Sequence, residues 1–69
     1  MQIFNLTKEG SFWILRPEGN ICPVFVVQED NFTLSLEKAE RFMKSIGGKL
    51  IIYHDGGNAI EEKIFMPKD

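Results

Sequence analysis

A chain of 69 residues makes one domain, 1–69, and buries only about 60% of its unfolded surface. A single cysteine excludes an intramolecular disulfide, and no Cys/His cluster suggests a structural zinc, so stability must come from packing the 43% apolar residues or from oligomerisation. The net charge of −2 excludes the strongly basic footprint of a nucleic-acid or anionic-membrane binder.

The first predicted strand spans 2–6, with Phe4 and Leu6 on one face and Ile3 and Asn5 on the other. Thr7-Lys8-Glu9-Gly10 reads as a polar hairpin loop. The second strand, 11–16, is apolar on both faces through Phe12-Trp13-Ile14-Leu15. Pro17-Glu18-Gly19-Asn20 is a turn signal, with Arg16 at position i, Pro17 at i+1 and Gly19 at i+3. A third strand over 21–27 is again apolar on both faces. Pro23 cannot donate to a ladder, which places it at the strand start or on a free edge.

Polar residues 28–31 lead to a helix, and Phe32 or Leu34 is placed to staple its first turn. Leu36, Ala39, Phe42, Met43 and Ile46 recur at helical spacing, and Ser35 is the predicted cap. Glu37/Arg41 and Glu40/Lys44 are acid-first i,i+4 pairs on the polar side. Gly47 and Gly48 supply the positive φ that ends a helix. Leu50-Ile51-Ile52-Tyr53 forms the core of a fourth strand over 49–54. Asp55-Gly56-Gly57-Asn58 is a tight turn, 59–66 a return strand with a charged Glu61-Glu62-Lys63 edge, and 67–69 a tail. The expected fold is α+β: a small, mostly antiparallel meander of four to five strands with one helix packed on one face.

Candidate chemistry is sparse. His54-Asp55 is the one histidine beside an acid, but neighbouring strand residues point to opposite faces and no nucleophile motif accompanies them. Asp55, Glu61 and Glu62 offer hard oxygens, and a solvated edge strand explains them more simply. Neither Gly47-Gly48 nor Gly56-Gly57 follows a strand and opens a helix, so neither is a phosphate loop. The expectation is a non-enzymatic chain without catalytic, cofactor-binding or metal residues. The N-terminus lacks the pattern of a signal peptide and no apolar run reaches membrane-spanning length, so a cytoplasmic protein is expected, consistent with the free Cys22.

The doubled apolar pattern carries the main functional expectation. A sheet with one solvated face should alternate, and strands two, three and four do not. An eleven-residue helix, about 16 Å long, covers one face of a sheet about 20 Å wide. The other face is left with some of Trp13, Leu15, Phe25, Val27, Ile51 and Tyr53, the candidate interface residues. A patch of that kind marks a contact with another protein or with a second copy. A strongly curled sheet that buries both of its own faces is the alternative. A second class of function is single-stranded nucleic-acid binding through an open aromatic face bearing Phe12, Trp13, Phe25 and Tyr53 with Arg16, Lys49 and Lys63 nearby. The excess of acids over bases makes that the weaker reading.

Gly10-Ser11-Phe12-Trp13, Ser35 through Ala39, and Leu50-Ile51-Ile52-Tyr53-His54-Asp55-Gly56 with Glu61-Glu62-Lys63 resemble a family of small prokaryotic domains of unknown function with β-β-β-α-β-β order. Members carry an aromatic second strand after a glycine, a polar-capped helix, and a hydrophobic strand ending in a histidine–acid–glycine turn before a charged return strand. The first strand departs from the family's His-Val-Val-Pro-like segment, and the third is more apolar. The resemblance implies the fold and a bacterial or phage origin, in keeping with a small regulator or inhibitor. It carries no catalytic residue over.

Overall fold

The computed structural model describes residues 2–53 and 59–66. His54 and the turn expected over 55–58 lie outside the described residues. The order is β1 (Ile3–Glu9), β2 (Phe12–Pro17), β3 (Phe25–Val27), α1 (Phe32–Ile46), β4 (Gly48–Tyr53) and β5 (Ala59–Phe65). All five strands form one mixed sheet in the order β3-β2-β1-β4-β5.

The arrangement is not a simple meander. β1, β2 and β3 are joined antiparallel, and β4 and β5 form a second antiparallel pair. β4 then lies parallel to β1, with Phe4 opposite Leu50 and Leu6 opposite Ile52. Two reversals make β3 run parallel to β1. The helix then lets β4 start in the same sense on the far side of β1, as parallel pairing requires. β1 thus becomes the central strand.

Local chemistry sets several boundaries away from their predicted places. Thr7, Lys8 and Glu9 extend β1, and a two-residue turn links Glu9 to its partner Phe12. Gly10, with φ of 64°, takes the first central position, where hairpin turns of this length require glycine. The next turn is shifted by one residue: Asn20 N–H donates to Pro17 O at 3.2 Å, so Pro17 is position i. Gly19 falls at i+2, and its φ of 80° suits that place. β3 is only three residues long. Pro23 has no N–H to give, and Cys22 N–H donates instead to Asn20 Oδ1 at 2.9 Å.

The helix begins a full turn before the predicted cap. Asn31 is the N-cap, its Oδ1 accepting from Leu34 N–H at 3.0 Å. Ser35 lies inside the helix, fully buried, and its hydroxyl donates to Asn31 O at 2.9 Å. A polar group at 0% exposure is tolerated there because that bond satisfies it. Ser35, Ala39 and Met43 are the buried stripe, while Ile46 stays exposed.

Ala39 and Met43 share one cluster with Phe4, Leu6, Trp13, Leu15, Val27, Leu50 and Ile52. The Phe42 ring meets Phe4 edge-on at 5.2 Å, and Phe32 meets Trp13 at 5.1 Å. Such pairs add about 0.5–1.5 kcal/mol beyond the area they bury. Trp13 is the largest of the fully buried side chains. Two ion pairs tie elements outside the cluster: Lys8 with Asp30 at 3.1 Å, and Lys63 with Glu40.

The helix stop is built from two glycines with different tasks. Gly47 N–H still donates to Met43 O at 2.7 Å, and its φ of 75° with ψ of 166° is a corner open essentially to glycine alone. Gly48 has φ of 126° and begins β4 against β1. A Cβ there would lie 2.5 Å from Gln2 O, the acceptor of the first β1–β4 bond, from Lys49 N–H at 2.8 Å. Gly47→Ala should therefore cost about 1–3 kcal/mol of strain. Gly48→Ala should cost more, because it also forces two paired backbones apart. Urea midpoints of the two variants test the ranking, and a stable Gly48→Ala protein would contradict the close approach.

Candidate interaction face

The clean alternation of β1 sorts the whole sheet into two faces. Phe4 and Leu6 are buried in the cluster, and Asn5 and Thr7 point the other way. Pairing carries this parity outwards. Thr7 lies opposite Ile14, which lies opposite Val26; Asn5 lies opposite Arg16 on one side and Ile51 on the other. Ile51 pairs with Glu62, and Lys49 with Ile64.

The face away from the cluster therefore carries two apolar areas flanking a polar strand. On the β2–β3 side stand Phe12, Ile14, Val24 and Val26. Phe12 and Val26 are each 42% exposed and Val24 38%, whereas Ile14 is shielded to 8% by its neighbours. On the β4–β5 side stand half-buried Ile51 and Tyr53 and the 62% exposed Ile64. Asn5 and Thr7 of β1 run between them.

Of the six residues expected to line this face, the structure places two there, Ile51 and Tyr53. Trp13, Leu15 and Val27 are buried in the cluster with α1, and Phe25 packs against it. The cause is register. Trp13 pairs with Lys8 and Leu15 with Leu6, so both share the Leu6 face, and their neighbours Phe12 and Ile14 take the outer one. Ile14, Val24, Val26 and Ile64 are members that the sequence reading left out, and Phe12 was considered only for base stacking. The alternation Phe4-Asn5-Leu6-Thr7 is the signal that could have found those on β2 and β3, through the hairpin register.

The charged groups on this face are internally matched. Arg16 donates to the Glu9 carboxylate and, through Nε, to Ile21 O at 3.3 Å. That hydrogen bond with Arg16 holds the Glu9 carboxyl below its ordinary range. Lys49 meets Glu62 at 2.8 Å, and this hydrogen bond and charge hold the ammonium above its ordinary value, with Glu18 adding to the field. Glu9's contribution to stability is present above its ordinary 4.5 and is lost as pH falls through the lowered value. That of Lys49 is present below 10.5 and is lost as pH rises through the raised one. Both pairs are solvent-exposed and contribute little to folding.

Other chemistry is thin. Among the described residues no group of three or more His, Cys, Asp or Glu side chains gathers as a metal site. Glu61 pairs opposite Ile52 and Glu62 opposite Ile51, so the two acids project to opposite faces. Cys22 is exposed in the β2–β3 connection. No described helix is long and apolar enough to cross a membrane. Of the four aromatics considered for base stacking, Phe12 and Tyr53 lie on this face, and its two bases are already paired with acids.

Comparison with protein-family models, curated proteins and solved structures finds no match.

Adjacent valines test the assignment of faces. Val26→Asp should leave the fold intact at a cost of about 1 kcal/mol or less, since the side chain is already solvated. Val27→Asp places a carboxylate among Trp13, Leu15 and the helix, and should cost more than about 4 kcal/mol, enough to unfold so small a domain. Circular dichroism with urea titration separates the two, and equal effects would mean that the β3 register is wrong.

Proposed function

We propose that the chain is a non-enzymatic protein-interaction module whose working surface is the sheet face opposite α1. The helix and its flanking aromatics cover the Phe4–Leu6 face and leave the other without cover. The observation that carries this reading is the solvent exposure of Phe12, Val24, Val26 and Ile64 on one side of one sheet, alongside Ile51 and Tyr53. Single exposed apolar residues are ordinary on any surface. Several on one face of a 69-residue chain are better explained by a partner that buries them. The matched charges of Arg16 with Glu9 and Lys49 with Glu62 also favour a protein over a polyanion, because nucleic-acid affinity depends chiefly on unneutralised bases.

A role as a small bacterial or phage regulator or inhibitor acting in the cytoplasm fits this reading, since such a role requires only a binding surface. Sedimentation of the labelled chain, alone and in cell extract, tests it together with the variants Val26→Asp and Tyr53→Glu. The expected result is a faster-sedimenting species for the wild type that both folded variants lose by at least about tenfold in apparent affinity. A complex that both variants retain would move the binding surface elsewhere. A wild-type monomer that shifts only with a single-stranded oligonucleotide, and with steep salt dependence, would replace the reading with nucleic-acid binding.

A further inference from the structure

We infer that the partner of this face is a second copy of the same chain, packed sheet against sheet about a two-fold axis that runs along β1. The inference rests on the reading above and names its partner.

The first support is charge complementarity of the face with itself. In the row through Asn5, Arg16 stands on the β2 side of β1 and Glu62 on the β5 side. In the next row, Glu18 continues β2 through its N–H bond to Ile3 O at 2.8 Å, and Lys49 stands on the β4 side. A two-fold axis parallel to the strands exchanges the two sides of β1. It sets Glu18 of each copy over Lys49 of the other, and Arg16 of each within one strand spacing, about 4.8 Å, of the other's Glu62. Arg16, Glu18, Lys49 and Glu62 then each have an opposite charge of the other copy within reach, four contacts in all by symmetry, while Glu9 keeps its own pairing with Arg16. The same rotation lays Ile14 of each copy over the other's Tyr53, while the apolar stem of Arg16 lies over the other's Ile51.

The second support lies on the axis itself. Asn5 Oδ1 is shielded from solvent and has no donor among the described residues. The axis brings Asn5 opposite its own copy, and an amide carries both donor and acceptor. Sheets packed about 10 Å apart leave a gap that two facing asparagines and one hydrogen bond span. Oδ1 is shielded within the single chain, so each amide must rotate about its terminal bond until both its oxygen and its nitrogen reach the axis before the two can pair.

The third support is that the alternative way for two sheets to join is guarded. β3 is three residues long and follows Pro23. β5 aims Lys63 towards the helix side, held there by Glu40. Short edge strands, proline and inward-pointing charge are the devices that prevent edge-to-edge pairing. The face has no such guard. Four strands of about 20 Å and the three-residue β3 present about 450 Å² per copy, which is at the small end for a specific contact, so association is expected in the micromolar range.

The test is a charge exchange read by analytical ultracentrifugation, with folding of each variant confirmed by NMR. Wild type should be a dimer at about 100 μM. Arg16→Glu alone and Glu62→Arg alone should each weaken self-association by about tenfold, since each repeats its clash twice by symmetry. Mixing the two should restore a mixed dimer to within about threefold of wild type, because both clashes become attractions. The pair Glu18→Lys and Lys49→Glu repeats the exchange should either of the first variants fail to fold. Singles that dimerise like wild type, or a mixture that stays monomeric, would overturn the two-fold arrangement. A wild type that is monomeric at 1 mM would overturn self-pairing altogether. In that case, relaxation of the Val26 and Ile64 methyls by a soluble paramagnetic probe separates the two readings: accessible methyls leave the interaction face standing for a different partner, and protected methyls in a monomer overturn both.

Discussion

The structure depends on the parallel pairing of β1 with β4. Without it the chain is two separate pieces, a three-stranded meander and a two-stranded hairpin. Neither piece is a sheet wide enough to hold the helix, and an isolated hairpin is marginal in water. The pairing joins segments more than forty residues apart, as in Leu6 opposite Ile52. The entropy of closing that loop grows slowly with length, so the cost is modest in stability. It is larger in rate, because non-local parallel pairing must form before its contacts stabilise anything. Gly48 is where this constraint meets the sequence. The strand can start against Gln2 O only if no side chain stands between them.

The same constraint explains the double role of β1. As the central strand it is bonded on both edges, and its side chains alternate strictly. Phe4 and Leu6 hold the core; Asn5 and Thr7 occupy the opposite face between two apolar areas. Ala39 and Met43 of α1 share the buried cluster with the strands, and the helix's buried stripe is small at Ser35 and Ala39 and larger at Met43. Trp13 lies fully buried with its ring near Phe32, and Phe42 meets Phe4. The core is therefore aromatic at both ends of the helix and aliphatic between them.

Element types were legible in the sequence because periodicity is a local property. The helical stripe from Leu36 to Met43, the glycine stop, and the apolar strands all follow from spacing and residue type. Boundaries were less legible. The cap expected at Ser35 is instead Asn31, and Ser35 lies buried one turn inside the helix. Strand order was not legible, since nothing in β4 alone says that it pairs with β1. The candidate face was half legible. Its existence follows from strands that are apolar on both sides, but its membership depends on parity. In Phe12-Trp13-Ile14-Leu15 both parities look alike, so the pattern could not assign Trp13 to the core and Phe12 to the surface. The hairpin register at Gly10 makes that assignment, by placing Glu9 opposite Phe12.

This is also why the polar residues on the outer side of β1 matter for the fold. A strand that is apolar on both faces can slip by one residue at little cost, since each slip exchanges one apolar side chain for another. β2 and β3 are of that kind, and β4 nearly so. β1 is not. A one-residue slip of β1 would bury Asn5 and Thr7 against Met43 and expel Phe4 and Leu6. Burying two unpartnered polar side chains costs several kcal/mol, comparable to the whole stability of a domain this size. The central strand therefore holds a single register, and its neighbours inherit that register through their hydrogen bonds. The polar stripe that divides the outer face is thus the same feature that keeps Trp13, Leu15 and Leu50 inside and leaves Phe12, Val26 and Ile64 outside.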